Sequence, residues 1–81
     1  MGMKSQKALL VLGAGQDQIF MIRSAQEMGF LTVAVDADEM APGLKIADYS
    51  RAIDYSDINK VIKYCERLIK QYIPLKGVTT M

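Results

Sequence analysis

Apolar positions along this chain come in two kinds of run, and their alternation sets the fold. Ala8 to Leu12 are apolar without a break, which suits a β-strand covered on both faces, as in a parallel sheet. Beyond Gly13-Ala14-Gly15 the spacing becomes helical. Ile19, Ile22, Ala25 and Met28, with Met21, form a stripe at three- and four-residue intervals, and Arg23, Gln26 and Glu27 fall on the water side. Gly29 stands where a helix ends, with Phe30 placed to pack back on the cap. Leu31 to Val35 is a second apolar, β-branched run that closes on Asp36. A crossover follows, Ala37 to Asp48, in which Pro42-Gly43 marks a turn and Leu44 to Ala47 suffice for one helical turn. Tyr49 to Ile53 is the third strand. The clearest helical pattern comes next: Ile58, Val61, Ile62, Cys65, Leu68, Ile69 and Tyr72 form the apolar stripe, Lys60, Lys63, Glu66, Arg67 and Lys70 the outer face, and Ser56 or Asp57 the cap. Pro74 stops that helix, and Gly77 to Thr80 begin a fourth strand.

Strands alternating with crossovers give an α/β fold with right-handed connections. The expectation is a parallel four-stranded sheet in the order 3-2-1-4 with helices on both faces. The winding then reverses between the first and fourth strands, and ligands of such sheets bind outside the carboxyl ends at that point. The predicted crevice has Gly13, Ala14, Gly15 and Gln16 on one side and Thr79 and Thr80 on the other.

Length changes the picture. At 81 residues the chain is one small domain, and a domain of that size buries only about 60–65% of its unfolded surface. One long helix per face leaves part of the sheet bare and the fourth strand an open edge. Residues 1–81 are therefore expected to be the N-terminal fragment of a longer protein, or a domain that completes itself as a homo-oligomer. The polar Met1 to Gln6 is expected to fray.

Charge and residue types exclude several chemistries. Ten basic and nine acidic residues leave a net charge of +1, and no basic stripe with interleaved aromatics points to nucleic acid. Histidine is absent, which removes the commonest general base and metal ligand. The single cysteine, Cys65, forms no internal disulfide, and its place on an apolar stripe predicts a buried, inert thiol. No apolar run is long enough for a transmembrane helix, the N-terminal run lacks a signal-peptide cleavage site, and Gln6 breaks the myristoylation pattern. The default location is the cytoplasm.

Candidate chemistry gathers after the first strand. Gly13 and Gly15 let the backbone turn sharply and approach a ligand, and the N–H groups of the following turn favour an anion. The dinucleotide fingerprint wants a third glycine where Gln18 stands. The turn is either purely conformational or an anion site. Asp36, at the end of the second strand, either accepts from a ribose hydroxyl or caps the next turn.

The combination G-A-G-Q-D-Q-I, A-x-E-x-G-F-x-T-V-A-V-D-A-D, A-P-G-L-K-I-A-D and A-I-D-Y-S-D resembles the Rossmann-like pre-ATP-grasp domain that opens the ATP-grasp ligases. That superfamily includes biotin carboxylase, carbamoyl-phosphate synthase and the purine-pathway carboxylase and formyltransferase ligases. The resemblance runs from about Lys7 to Thr80. Its most specific part is Asp36-x-Asp38 followed by Ala41-Pro42 and Ala47-Asp48. It implies an enzyme that activates a carboxylate with ATP for attack by an amine or other nucleophile. ATP and Mg2+ would be held mainly by later domains of the same protein. On this resemblance Gly13, Ala14, Gly15, Gln16, Gln18 and, more weakly, Asp36 contact a small carboxylate- or phosphate-bearing substrate. Asp38, Pro42, Ala47 and Asp48 shape the crossover. No catalytic residue and no metal ligand carries over, so this chain alone is expected to be inactive. Two other readings stay open: a nicotinamide-binding Rossmann fragment of an oxidoreductase, and a small non-catalytic domain that self-associates.

Overall fold

The computed structural model describes residues 7–71 and 78–80. The expected fraying of Met1 to Gln6, the packing of Tyr72 and the stop at Pro74 lie outside them. β1 (Ala8–Leu12) leads through a short 3-10 turn (Gln16–Gln18) into α1 (Ile19–Glu27). Then come β2 (Leu31–Asp36), the single-turn α2 (Gly43–Ile46), β3 (Tyr49–Ala52), α3 (Ile58–Gln71) and β4 (Val78–Thr80). β1, β2 and β3 form a parallel sheet with β2 in the middle, Ala8 opposite Leu31 and Val33 opposite Tyr49. β4 pairs parallel with the other side of β1, Ala8 opposite Val78.

The unbroken apolar run of β1 now has a cause. Leu9 and Val11, with Ala34 of β2, face Ile22 and Ala25 of α1 and Ala41 of the crossover. Ala8 and Leu10, with Val33 and Val35, face Val61, Tyr64 and Leu68 of α3. Both sides of the pleat are therefore buried, and no polar alternation survives.

α1 ends as its glycine predicts. Gly29 has φ +91°, its N–H donates to the Gln26 carbonyl at 3.0 Å, and the Phe30 N–H donates to the Ala25 carbonyl at 3.0 Å. This is the Schellman arrangement, and the half-buried Phe30 packs against the α1 core cluster.

Gln26, Met28 and the buried face of α3 depart from the pattern reading. Gln26 does not face water. It is half-buried, and its Nε2 donates to Thr32 Oγ1 at 3.0 Å and to the Ile46 carbonyl at 2.7 Å. Thr32 is itself fully buried on β2. Its N–H and hydroxyl donate to Asp48 Oδ2 at 2.8 and 3.0 Å, and its Oγ1 accepts from the Asp48 N–H at 3.0 Å. The second correction is Met28, which is 75% exposed at the end of α1. The third is α3. Ile58, Ile62 and Ile69 are 54%, 47% and 41% exposed, while Tyr64, absent from the predicted stripe, is buried. The apolar arc of α3 is wider than the sector the sheet can cover, and packing selects Val61, Tyr64 and Leu68, at i, i+3 and i+7. Cys65 lies half-buried at the margin of that sector, and desolvation raises the pKa of its thiol. Among the described residues no helix is long and apolar enough to cross a membrane.

Candidate functional site

The carboxyl ends of β1 and β2 are joined by a clasp built on main-chain groups. Gly13 takes φ +100°, a conformation that disfavours a side chain, and its N–H donates to the Val35 carbonyl at 2.8 Å. The positive φ of this turn thus belongs to Gly13 and not to Gly15, which sits at φ −71° and ψ −175°. Ala14 is fully buried. Its N–H donates to Asp36 Oδ2 at 2.8 Å, and its carbonyl accepts from the Gly43 N–H at 2.7 Å.

Asp36 spends its carboxylate on the backbone. Oδ2 takes the Ala14 N–H, and Oδ1 takes the Asp38 N–H at 2.9 Å. These two bonds, Ala14 first, hold its pKa below the ordinary carboxylate value, so it is charged at neutral pH. Its carbonyl accepts from the Ile53 N–H at 2.9 Å, which ties the end of β3 into the same clasp. Asp38 continues the chain of turns, its Oδ1 accepting from the Met40 N–H and its carbonyl from the Ala41 N–H, both at 2.9 Å.

Gly43 carries a requirement that its Pro-Gly setting only half suggests. A Cβ placed there would lie 2.7 Å from the Ala14 carbonyl oxygen and 2.9 Å from Ile22 Cδ1. α2 therefore packs onto the glycine turn at a distance only glycine permits.

The groups facing outward are few. Gln16 and Asp17 are exposed. The Gln18 N–H bonds the Gly15 carbonyl at 3.0 Å, and a Cβ on Gly15 would meet only Gln18 Oε1, at 3.5 Å. Among the described residues the N–H groups of Gly15 and Gln16 have no protein partner. Of the six sequence candidates, Gly15, Gln16 and Gln18 thus line an accessible turn, while Ala14 and Asp36 are engaged in holding it and Gly13 shapes it. Thr79 and Thr80 of β4 pair beside Leu9 and Leu10, two residues short of the carboxyl end of β1.

Tyr55 joins this group, and nothing in the sequence pattern singled it out. A Cβ on Gly13 would lie 3.8 Å from both its hydroxyl oxygen and Gln18 Cδ. The loop that delivers it is held by Asp54, whose Oδ1 accepts from Ser56 Oγ at 2.7 Å and Ser56 N–H at 3.0 Å. The Ser56 hydroxyl therefore serves Asp54 and does not cap α3. The Asp57 carbonyl instead takes the Lys60 and Val61 N–H groups at 3.1 and 3.4 Å. The place of Tyr55, just after the carboxyl end of β3, was the available signal.

No family model matches the chain. The formate-dependent phosphoribosylglycinamide formyltransferase of Prochlorococcus marinus (strain MIT 9301) is 36% identical to it over 70 residues, 86% of this chain and 17% of the relative. The enzyme of the same name from Bacillus velezensis is 37% identical over 65 residues, 80% of this chain and 17% of the relative. Among solved structures, phosphoribosylglycinamide synthetase from Anaerococcus prevotii superposes with a TM-score of 0.60 at 31% identity, covering 95% of this chain and 18% of that one. The chain spans 17% of the length of the curated relatives it matches.

Proposed function

We propose that the chain is an N-terminal domain of an ATP-grasp ligase, matching the formyltransferases above, and that it serves the complete enzyme by binding its non-nucleotide substrate. The domain is the pre-ATP-grasp unit, residues 1–81, a parallel sheet in the order 3-2-1-4 with helices on both faces. The complete protein transfers a formyl group from formate to phosphoribosylglycinamide, with ATP activating the carboxylate. ATP and Mg2+ are held mainly outside this chain. Among the described residues no three His, Cys, Asp or Glu side chains are grouped to hold a cation, and no step through the metal is assigned to them. The other partners are the remaining domains of the same protein, and the location is the cytoplasm.

The observation that carries this reading is the accessible turn. Gly15 and Gln16 present two N–H groups to an anion at the start of a helical segment. Gln18 adds a side-chain amide beside them. A phosphate or carboxylate of the substrate fits that set of donors. Gly13, Ala14 and Asp36 act one step back, by fixing the turn. The engagement of both Asp36 oxygens also weighs against its use as the ribose acceptor of a nicotinamide site.

Gly15→Val in the complete enzyme tests this. Gly15 has an ordinary φ, and its Cβ would meet only the end of a flexible side chain, so the variant should fold. Its added methyls crowd the anion. The dissociation constant for phosphoribosylglycinamide should rise at least about tenfold, the loss of roughly one charge-assisted hydrogen bond. ATP affinity should stay unchanged. A folded variant that keeps its substrate affinity and loses the nucleotide would reverse the assignment.

A further inference from the structure

The edge of β3 and the outer flank of α3 enclose a groove of about 290 Å3, and its rim is cationic. Arg51 comes from β3, and Lys60, Lys63 and Arg67 from successive turns of α3. Four of the chain's ten basic residues therefore surround one opening, although the net charge of the whole chain is only +1. Among the described residues none of the four is in an ion pair. Asp54 feels the charge of Lys60 alone. The floor is ordered: Ile53 and Tyr64 are buried, and the Arg51 guanidinium carbon lies 5.1 Å from the centroid of the Tyr64 ring. Cation–π attraction to the ring helps hold the Arg51 guanidinium at the groove.

We propose that this groove is a second anion site, distinct from the glycine turn, for a small ligand bearing two or more phosphate charges. Uncompensated cations that share a groove repel one another, and a polyvalent anion relieves that repulsion. The forks of Arg51 and Arg67 match pairs of phosphate oxygens, and the two lysines supply point charge. A single carboxylate would neutralise one of the four. A nucleic-acid strand would need stacking platforms, but Tyr64 is only 7% exposed and has Arg51 over its ring. Guarding an edge strand against pairing would account for Arg51, but not for Lys63 and Arg67 on the helix.

The test is a titration of the complete protein, labelled at tyrosine and arginine, with inorganic pyrophosphate and separately with ribose 5-phosphate. NMR should show the Tyr64 ring and Arg51 Nε–H resonances moving with either probe. The tighter probe distinguishes a polyphosphate ligand from a phosphosugar. Arg51→Gln/Arg67→Gln should raise the dissociation constant at least about tenfold. Arg23→Gln, an exposed cation on α1, should leave it unchanged. Should the double variant fail to fold, Lys63→Gln/Arg67→Gln, both on exposed positions, takes its place with the same expectation. Equal weakening by Arg23→Gln would overturn the proposal, as would resonances that stay still or aggregation of the variants with no change in affinity.

Discussion

Gly43 and Gly13 look alike in the sequence, and the structure uses them for opposite reasons. At Gly43 the obstacle is space, because an added Cβ meets the Ala14 carbonyl oxygen at 2.7 Å, and that oxygen is main chain and cannot swing away. Gly43→Ala should lower stability by about 1–3 kcal/mol, the range for overpacking. At Gly13 the obstacle is the backbone, since φ is +100° and neighbours are 3.8 Å off. Gly13→Ala should lose about 1–2 kcal/mol. Gly15→Ala should be near neutral. Urea melts of the three variants check this order, and a Gly15 loss equal to that of Gly43 would refute it. Asp36 supports a pH prediction at the same scale. Its folded pKa is depressed by the Ala14 and Asp38 N–H groups, so its stabilising effect is complete above the ordinary value near 4. That effect fades as pH falls through the lower folded value. Asp36→Asn should therefore cost about 1–3 kcal/mol at pH 7 and flatten part of the acid slope of stability. Asp54, lowered by the hydroxyl and N–H of Ser56, contributes to that slope in the same direction. Melts from pH 2 to 7 measure both.

At the scale of elements, α3 separates what periodicity can read from what packing decides. Leu68 is 5% exposed and Ile62 is 47% exposed. Leu68→Ala should cost about 2–4 kcal/mol. Ile62→Ala, named by the sequence pattern as equally buried, should cost under about 1 kcal/mol, and Lys63→Ala under about 0.5 kcal/mol. Equal losses for Leu68 and Ile62 in denaturant melts would show that the helix buries a wider face. The strands, α1 and the Gly29 cap were legible because each rests on local chemistry: a doubly buried run, a helical stripe, a residue with φ near +90°. Tyr64 and Gln26 were not, because both are polar by type and earn burial only through partners distant in sequence. Gln26 bonds Thr32 of β2 and Ile46 of α2, and Tyr64 packs against Leu10 and Val33 of the sheet. The glycine turn was legible as a turn in the same way, from Gly-x-Gly after a buried strand. Which of its residues face outward was not, since the engagement of Ala14 depends on Asp36 and Gly43, 22 and 29 positions further on.

At the scale of the molecule, the proposed role of the chain is that of a platform that presents the substrate. Its carboxylates near the sheet's carboxyl edge are used mainly to hold backbone: Asp36 on Ala14 and Asp38, Asp54 on Ser56. Carboxylates committed in this way are poor general bases, because the bonds that position them also stabilise the charged form. Cys65 is half-buried with a raised pKa, so it stays a thiol at neutral pH and is a poor nucleophile. The ligase relatives are far longer than the region matched, and phosphoryl chemistry needs a cation, for which the described residues group no three His, Cys, Asp or Glu side chains. The 81-residue chain, prepared alone and shown folded by circular dichroism, should therefore release phosphate from ATP no faster than a buffer blank. Adding Mg2+ should make no difference. Phosphate release that rises with chain concentration, persists through a second purification step and falls in Gly13→Ala would place nucleotide chemistry at the glycine turn and sink the platform reading.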